Sequence, residues 1–213
     1  MSITVIDYGS GNLKSAAKAL EAAASNVNVN SKIVVTSDLK KIKQSDKIVL
    51  PGQGSFRDCA LSIKNISGLN EVLNEFVLEK KKPILGICVG MQLFAKFGYE
   101  SQETKGFGWM DATVKKINNI NKTLKLPHMG WNQIEFKKEF TLFSGLENKC
   151  HMYFAHSYEL ILKQKDCVIA STKYGNSITA AVERENIFGT QFHPEKSQKN
   201  GLVILGNFIK KDF

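Results

Sequence analysis

The chain has 213 residues, 43% of them hydrophobic, which is enough for one well-buried core. Its formal net charge is +9, but nearly all of the positive charge is lysine spread along the chain, with Arg57 and Arg184 the only arginines. That argues against a nucleic-acid reader, which favours arginine forks and a basic stripe interleaved with aromatics. It reads instead as a solvated surface, or as a field that steers an anionic partner or substrate.

In chain order, the first half alternates between short apolar runs and helical segments. Ile3–Ile6 reads as a strand and Leu13–Ala24 as a helix with apolar positions at Leu13, Ala16, Ala17, Leu20 and Ala24. The N-terminal MSITVIDYG enters a strand directly, with no charged leader or cleavage site, so we expect an uncleaved, cytoplasmic protein. Lys32–Thr36 is a second strand, and Asp38 a cap for a short helix. Lys47–Leu50 is a third strand ending in the turn Pro51-Gly52-Gln53-Gly54. Helical stretches follow at about Phe56–Ile66 and Leu69–Lys81, then the strand Pro83–Ile87 and a helix over Val89–Phe97. Apolar strands between helices predict a mostly parallel open sheet with helices on both faces, an α/β fold.

Beyond residue 100 the segments are short, β-rich and separated by turns: Ala112–Ile117, Asn132–Phe136, Met152–Ser157, Val168–Thr172, Thr179–Glu183 and Ile187–Phe192. A helix over Gly201–Lys210 closes the chain. No repeat, linker or boundary divides it, so a single domain over 1–213 is expected. No apolar run approaches the ~20 residues of a membrane span. The cysteines Cys59, Cys88, Cys150 and Cys167 form no CxxC pair, which leaves zinc and dithiol redox chemistry without support and Cys88 free as a thiol.

In an open α/β sheet, ligands bind beyond the carboxyl ends of the strands. Three such places carry chemistry. Gly86-Ile87-Cys88-Val89-Gly90 has the small–x–nucleophile–x–small form of a nucleophile elbow. There the amides and dipole of the following helix favour a thiolate, and the Val89 amide can serve an oxyanion. On its own, a small apolar cysteine at a strand end explains Cys88 about as well. Gln191-Phe192-His193-Pro194-Glu195 follows a strand, and on extended backbone His193 and Glu195 project together, as a base and its orienter should. By residue type His128, His151 and His156 could also be the base; the carboxylate partner favours His193. Pro51-Gly52-Gln53-Gly54 can present an amide to a developing oxyanion, although alone it would be an ordinary turn. Together they form a Cys–His–Glu triad.

GICVGMQ, with Gln92 four residues after the cysteine, and the distant HPE resemble the class I, triad-type glutamine amidotransferases over nearly the whole chain. Within that family, DYGSGN (Asp7–Asn12), PHMGWN (Pro127–Asn132), YFAHSY (Tyr153–Tyr158) and HPEKS (His193–Ser197) resemble the glutaminase subunits of imidazole glycerol phosphate synthase. The resemblance implies a flavodoxin-like fold with additional antiparallel strands in the second half. It makes Cys88, His193 and Glu195 the catalytic triad, and the amides of Gly52–Gln53 and Val89 the oxyanion hole. Gln92, Ser157 and Tyr158 would hold glutamine, while Asn12, Trp131, Tyr153 and Lys196 would face a partner. One departure is Gln53, where the family often has valine; the donor expected there is backbone.

After Glu195 only Lys196–Phe213 remain, too little for an ammonia acceptor, and no P-loop is present. A separate acceptor polypeptide is therefore expected, which the resemblance identifies as a (βα)8-barrel cyclase forming a heterodimer with this chain. None of these roles calls for a metal or an organic cofactor, and neither nucleic acid nor membrane is an expected partner. The alternatives are a paralogous glutaminase serving nucleotide-sugar amidation and a cysteine hydrolase of a related α/β fold. A third, a regulatory subunit that has lost its chemistry, conflicts with the intact Cys88, His193 and Glu195.

Overall fold

A computed structural model describes residues 1–118, 124–136 and 141–211. The strands β1 (Ser2–Ile6), β2 (Lys32–Thr36), β3 (Lys47–Gly52) and β4 (Ile84–Cys88) lie close to where the apolar runs predict them. Every residue of β3 and β4 is buried, which requires cover on both faces of the sheet. The helices α1 (Leu13–Asn26), α2 (Leu39–Gln44), α3 (Phe56–Asn65) and α4 (Leu69–Asn74) connect them. The predicted cap holds: the Asp38 carboxylate accepts from the Lys40 and Lys41 amides and so satisfies two otherwise unpaired donors of α2. The helix predicted over Leu69–Lys81 changes to a π-helical turn at Glu75–Glu79.

The helix predicted over Val89–Phe97 is corrected. Helix α5 covers only Val89–Gln92, a single turn. The reason is a loop more than ten residues downstream, whose amides from Phe107, Gly108 and Met110 take the carbonyls of Leu93, Ala95 and Phe94. Phe97 then opens a strand, β5 (Phe97–Glu100), which pairs with β6 (Gln102–Lys105). Neither of these strands was predicted, nor was β10 (Tyr158–Leu162), because each is short or largely polar.

The remaining strands are β7 (Ala112–Lys116), β8 (His128–Phe136), β9 (His151–His156), β11 (Val168–Tyr174), β12 (Asn176–Arg184) and β13 (Ile187–Thr190). The larger sheet has the order β2-β1-β3-β4-β13-β12-β11-β8-β9. It is parallel from β2 to β13 and antiparallel from β13 to β9, so β13 is the seam between two kinds of pairing. A second sheet runs β10-β7-β5-β6. The last helix, α6 (Gln198–Lys210), packs on α1. Its C-terminal carbonyls at Phe208 and Ile209 accept from the buried ammonium of Lys47 at 2.9 Å, which ties the helix end to β3. Among the described residues no helix is long and apolar enough to cross a membrane.

Candidate active site

The parallel pairing of β4 with β13 sets Ile87 opposite Thr190, so the two strands leave the sheet side by side. Cys88 follows Ile87, and the segment Gln191–Glu195 follows Thr190. On the other side of β4, Gly52 lies opposite Cys88. All three sequence stretches singled out for chemistry therefore meet at the carboxyl edge of the parallel half, as expected for this class of sheet.

Cys88 has φ +56° and ψ −112°, a conformation that side chains other than glycine rarely adopt and that costs about 1–3 kcal/mol. The surroundings enforce it by backbone contact. A Cβ on Gly90 would lie 1.9 Å from the Leu50 carbonyl oxygen, and one on Gly52 would lie 2.5 Å from the Gly90 nitrogen. The glycines flank the thiol because β3 and α5 touch through their main chains. Val89 opens α5, so its N–H has no acceptor within that helix.

His193 and Glu195 meet: Nδ1 lies 2.8 Å from Glu195 Oε1, with both side chains more than nine-tenths buried. They do not meet by strand alternation, however. Pro194 opens a 3-10 turn over Pro194–Lys196, and this folds the carboxylate back beneath the ring. The turn is pinned to β9, with the His193 amide donating to Tyr153 O at 2.9 Å. The Ser197 hydroxyl donates to His193 O at 2.6 Å and accepts from the Tyr153 amide at 3.0 Å. With Nδ1 committed to Glu195, Nε2 is the ring nitrogen left for Cys88. Burial alone would pull the imidazole down, but hydrogen bonds to Cys88 and Glu195, and the charges of both, outweigh it and push it up to about 10. A positive imidazole is the charge state this favours.

The other histidines and cysteines are accounted for. His156 donates from Nδ1 to the Tyr158 carbonyl at 2.9 Å, which leaves Nε2 to accept from His128 Nδ1 at 3.0 Å. His128 Nε2 then accepts from Asn132 Nδ2 at 3.1 Å. Burial lowers both rings to about 4, so they stay neutral, with every ring nitrogen satisfied and none left to act as a base. His151 lies exposed on β9. Burial pushes the thiols of Cys59, Cys150 and Cys167 up, which keeps them protonated.

Cys88 and His193 open onto a cavity of about 270 Å3 whose wall includes Gln53, Val89, Gln92, Ser157 and Tyr158. Gln92 Nε2 donates to the Tyr158 carbonyl at 3.0 Å, and this leaves its oxygen for a ligand. Glu100 and Gln191 also belong to the site, and no role was read for either from sequence. Glu100 lines the cavity from β5, and its Oε2 accepts from the Phe56 amide at 2.7 Å. Gln191 is fully buried beside Cys88. Only the placement of β5 could have pointed to Glu100. A larger groove of about 610 Å3 between α3, α4 and Gly106 holds neither thiol nor imidazole.

The Gln53 amide does not face the thiol. Its N–H approaches Ser10 Oγ at 3.3 Å, and the Ser10 hydroxyl donates to Gln53 O at 2.6 Å. The Cys59 thiol also reaches that carbonyl, at 3.5 Å. Around the mouth of the cavity, Met129 and Trp131 are 64% and 48% exposed, large values for apolar side chains. Trp131 pairs with Tyr153 across β8 and β9 with edge-to-face rings, and the Lys196 ammonium lies 5.8 Å from the Tyr153 ring centre. Asn12 heads α1, which packs against the Pro194–Lys196 turn.

Residues 4–211 match the family described as glutamine amidotransferase class-I. The chain is 54% identical over 210 residues to an imidazole glycerol phosphate synthase subunit HisH of Pelagibacter ubique, covering 98% of this chain and 99% of that one. It is 46% identical over 211 residues to the subunit of the same name from Rhodospirillum rubrum, with 99% of each chain covered. Among solved structures, a candidate GMP synthase subunit from Thermoplasma acidophilum aligns with a TM-score of 0.67 at 24% identity, over 98% of this chain and 92% of that one. A second structure, a glutamine amidotransferase, also has a TM-score of 0.67, at 16% identity over 96% and 98% of the two chains. These two likenesses are of fold.

Proposed function

Because the chain belongs to the class-I glutamine amidotransferase family, we propose that it is the glutaminase subunit of an imidazole glycerol phosphate synthase. It hydrolyses glutamine to glutamate and ammonia and passes the ammonia to a (βα)8-barrel cyclase. The cyclase makes imidazole glycerol phosphate and an aminoimidazole carboxamide ribotide in histidine biosynthesis. The observation that carries the reading is the meeting of Cys88, His193 and Glu195 at the wall of a cavity of amino-acid size.

In the reaction, the Cys88 thiolate attacks the side-chain carboxamide carbon of glutamine. The developing oxyanion is held by the Val89 amide and by an amide of the Gly52–Gln53 segment. Imidazolium His193 gives its proton to the leaving ammonia, and the neutral ring then takes one from the water that cleaves the thioester. Glu195 holds Nδ1 and balances the charge of the ring. Glu100 suits the substrate ammonium group, and the Gln92 oxygen with the Ser157–Tyr158 segment suits its polar atoms.

The hold of Ser10 on the Gln53 peptide supports a resting state in which one oxyanion donor is turned away. Activation is then rotation of that peptide, prompted by the cyclase with its nucleotide bound. Met129, Trp131, Tyr153, Lys196 and Asn12 form the face that meets the cyclase. A missing oxyanion donor costs roughly 10²–10³ in rate, so rotation alone makes a switch of that size. The test compares glutamate release by the isolated chain, the complex, and the complex with acceptor nucleotide. Release should rise mainly on nucleotide addition, and Cys88→Ala should abolish glutamine-dependent synthesis while ammonia-dependent synthesis survives. Equal release in all three states would sink the switch, and joint loss of both syntheses would sink the assignment.

A further inference from the structure

The polar chain behind Cys88 has a direction that can be deduced. It starts at the Tyr158 carbonyl, which can only accept. Gln92 therefore turns its NH2 group toward that oxygen, at 3.0 Å. The second proton of the same NH2 group goes to the Gln191 side chain 2.9 Å away, which must present its oxygen there. The Gln191 NH2 group is then forced to the other side, where its Nε2 lies 3.7 Å from Cys88 Sγ. Reversing the Gln191 amide would set two NH2 groups against each other in a buried site, since Gln191 is fully buried and Gln92 nearly so.

The backbone makes this placement rigid. Thr190 is in register with Ile87, so Gln191 is the next residue beside Cys88, and its own amide donates to Ala180 O at 2.8 Å. A glutamine held in this way is more than filler. An apolar residue would fill the space beside a neutral thiol without needing a second buried amide to satisfy it. A donor aimed at sulfur is useful when the sulfur carries charge.

We propose that Gln191 is a further catalytic residue of this site, donating an N–H to Cys88 Sγ and stabilising the sulfur as an anion, with Gln92 the positioning residue that fixes its orientation. The donor acts twice. It holds the thiolate before attack, while the proton resides on His193. It acts again when water cleaves the thioester: the C–S bond breaks, its electron pair returns to sulfur, and the proton of the water goes to His193. The proposal rests on Cys88 being the nucleophile but not on the identity of the ammonia acceptor.

The test measures alkylation of Cys88 by iodoacetamide against pH in the full-length chain, with the modified residue identified by mass spectrometry. One hydrogen bond to a charged group corresponds to about one pH unit in the thiolate midpoint, or roughly tenfold in rate at neutral pH. Gln191→Leu should move the midpoint up by that amount and lower kcat for glutamine more than it changes KM, with the melting temperature down by no more than the few degrees that one unpaired Gln92 N–H costs. Gln191→Met, closer in length, should do the same and stands in if the leucine variant does not fold. A folded variant alkylated with the wild-type profile overturns the proposal. Independently of any variant, the Gln191 side-chain NH2 signals of 15N-labelled wild-type chain should shift on Cys88 alkylation, and signals that do not respond overturn it equally. Wild-type chain that is alkylated normally but releases no glutamate in the complex with cyclase and acceptor nucleotide would count against the glutaminase reading and leave this one standing.

Discussion

Lowering the pH from 7 to 5 should weaken the fold through the two neutral histidines behind the cavity, and by a predictable amount. His156 has an ordinary value near 6.5 in the unfolded chain and about 4 in the fold. Between those values the unfolded chain binds a proton that the folded one refuses, so stability falls as pH falls. The contribution is fully present above about pH 6.5 and is lost as pH drops through about 4. At pH 5 the linkage for His156 amounts to about 2 kcal/mol, and about half that for His128, which lies nearer the surface. The carboxylates held down by hydrogen bonds from lysines, Glu75, Asp111 and Glu185, titrate below their ordinary values near 4 and are nearly silent in this window. The assay is urea unfolding at pH 7, 6 and 5 for wild type and His156→Gln. Groups common to both chains, His193 among them, cancel in the difference. Wild type should lose about 2 kcal/mol more than the variant between pH 7 and 5. Equal losses would mean that His156 is charged or solvated in the fold, and would refute the neutral hydrogen-bonded pair.

In the complex with cyclase, His193→Ala should reduce glutamate release nearly as far as Cys88→Ala, by roughly 10⁴ or more, while Glu195→Gln, which keeps an orienting acceptor but removes the charge, should be milder. Finding Glu195→Gln equal to wild type would make that carboxylate a structural residue. Trp131→Ala should weaken cyclase binding by at least about tenfold, as expected of a central aromatic anchor, with little change in melting temperature. A large stability loss in the isolated chain would instead make it a covering residue. Gly90→Ala forces a Cβ to within 1.9 Å of a strand carbonyl and should cost about 3 kcal/mol or more in urea unfolding; a loss below about 0.5 kcal/mol would show that β3 and α5 can separate cheaply.

What could be read from sequence follows a physical line. Strands β3 and β4 were legible because a largely apolar run is the mark of a strand covered on both faces, while the edge strand β2, with no buried residue, was legible only from its β-branched run Ile33–Val35. Helix α5 was overextended because Met91, Leu93 and Phe94 suit a buried helix equally well, and what ends it is the Phe107–Met110 loop, invisible to any local window. Strands β5 and β6 carry few apolar residues and exist because β7 supplies an edge. Cys88 was legible because two glycines flank a thiol at a strand end, and His193 and Glu195 because a carboxylate follows the ring two residues on. Gln191 and Glu100 are ordinary polar residues until sheet register and chain path bring them to the sulfur and the cavity. The choice of His193 among four histidines rested on its neighbouring carboxylate, and only the fold shows that the ring nitrogens of His128 and His156 are already occupied.

The seam at β13 has a consequence for how this chain tolerates change. The separation of thiol and imidazole is set by the hydrogen-bonded register of two neighbouring parallel strands, β4 and β13. The polypeptide that joins them in sequence, from Val89 to Asn186, forms the second sheet and the antiparallel strands beyond β13, and none of it lies between β4 and β13. Its length therefore does not enter the geometry of the thiol and the imidazole. Insertions at its outward turns, such as the β11–β12 hairpin at Gly175, should leave the pair unmoved. A single-residue deletion inside β13 would displace the imidazole by one strand step, about 3.3 Å, and turn it to the opposite face of the sheet.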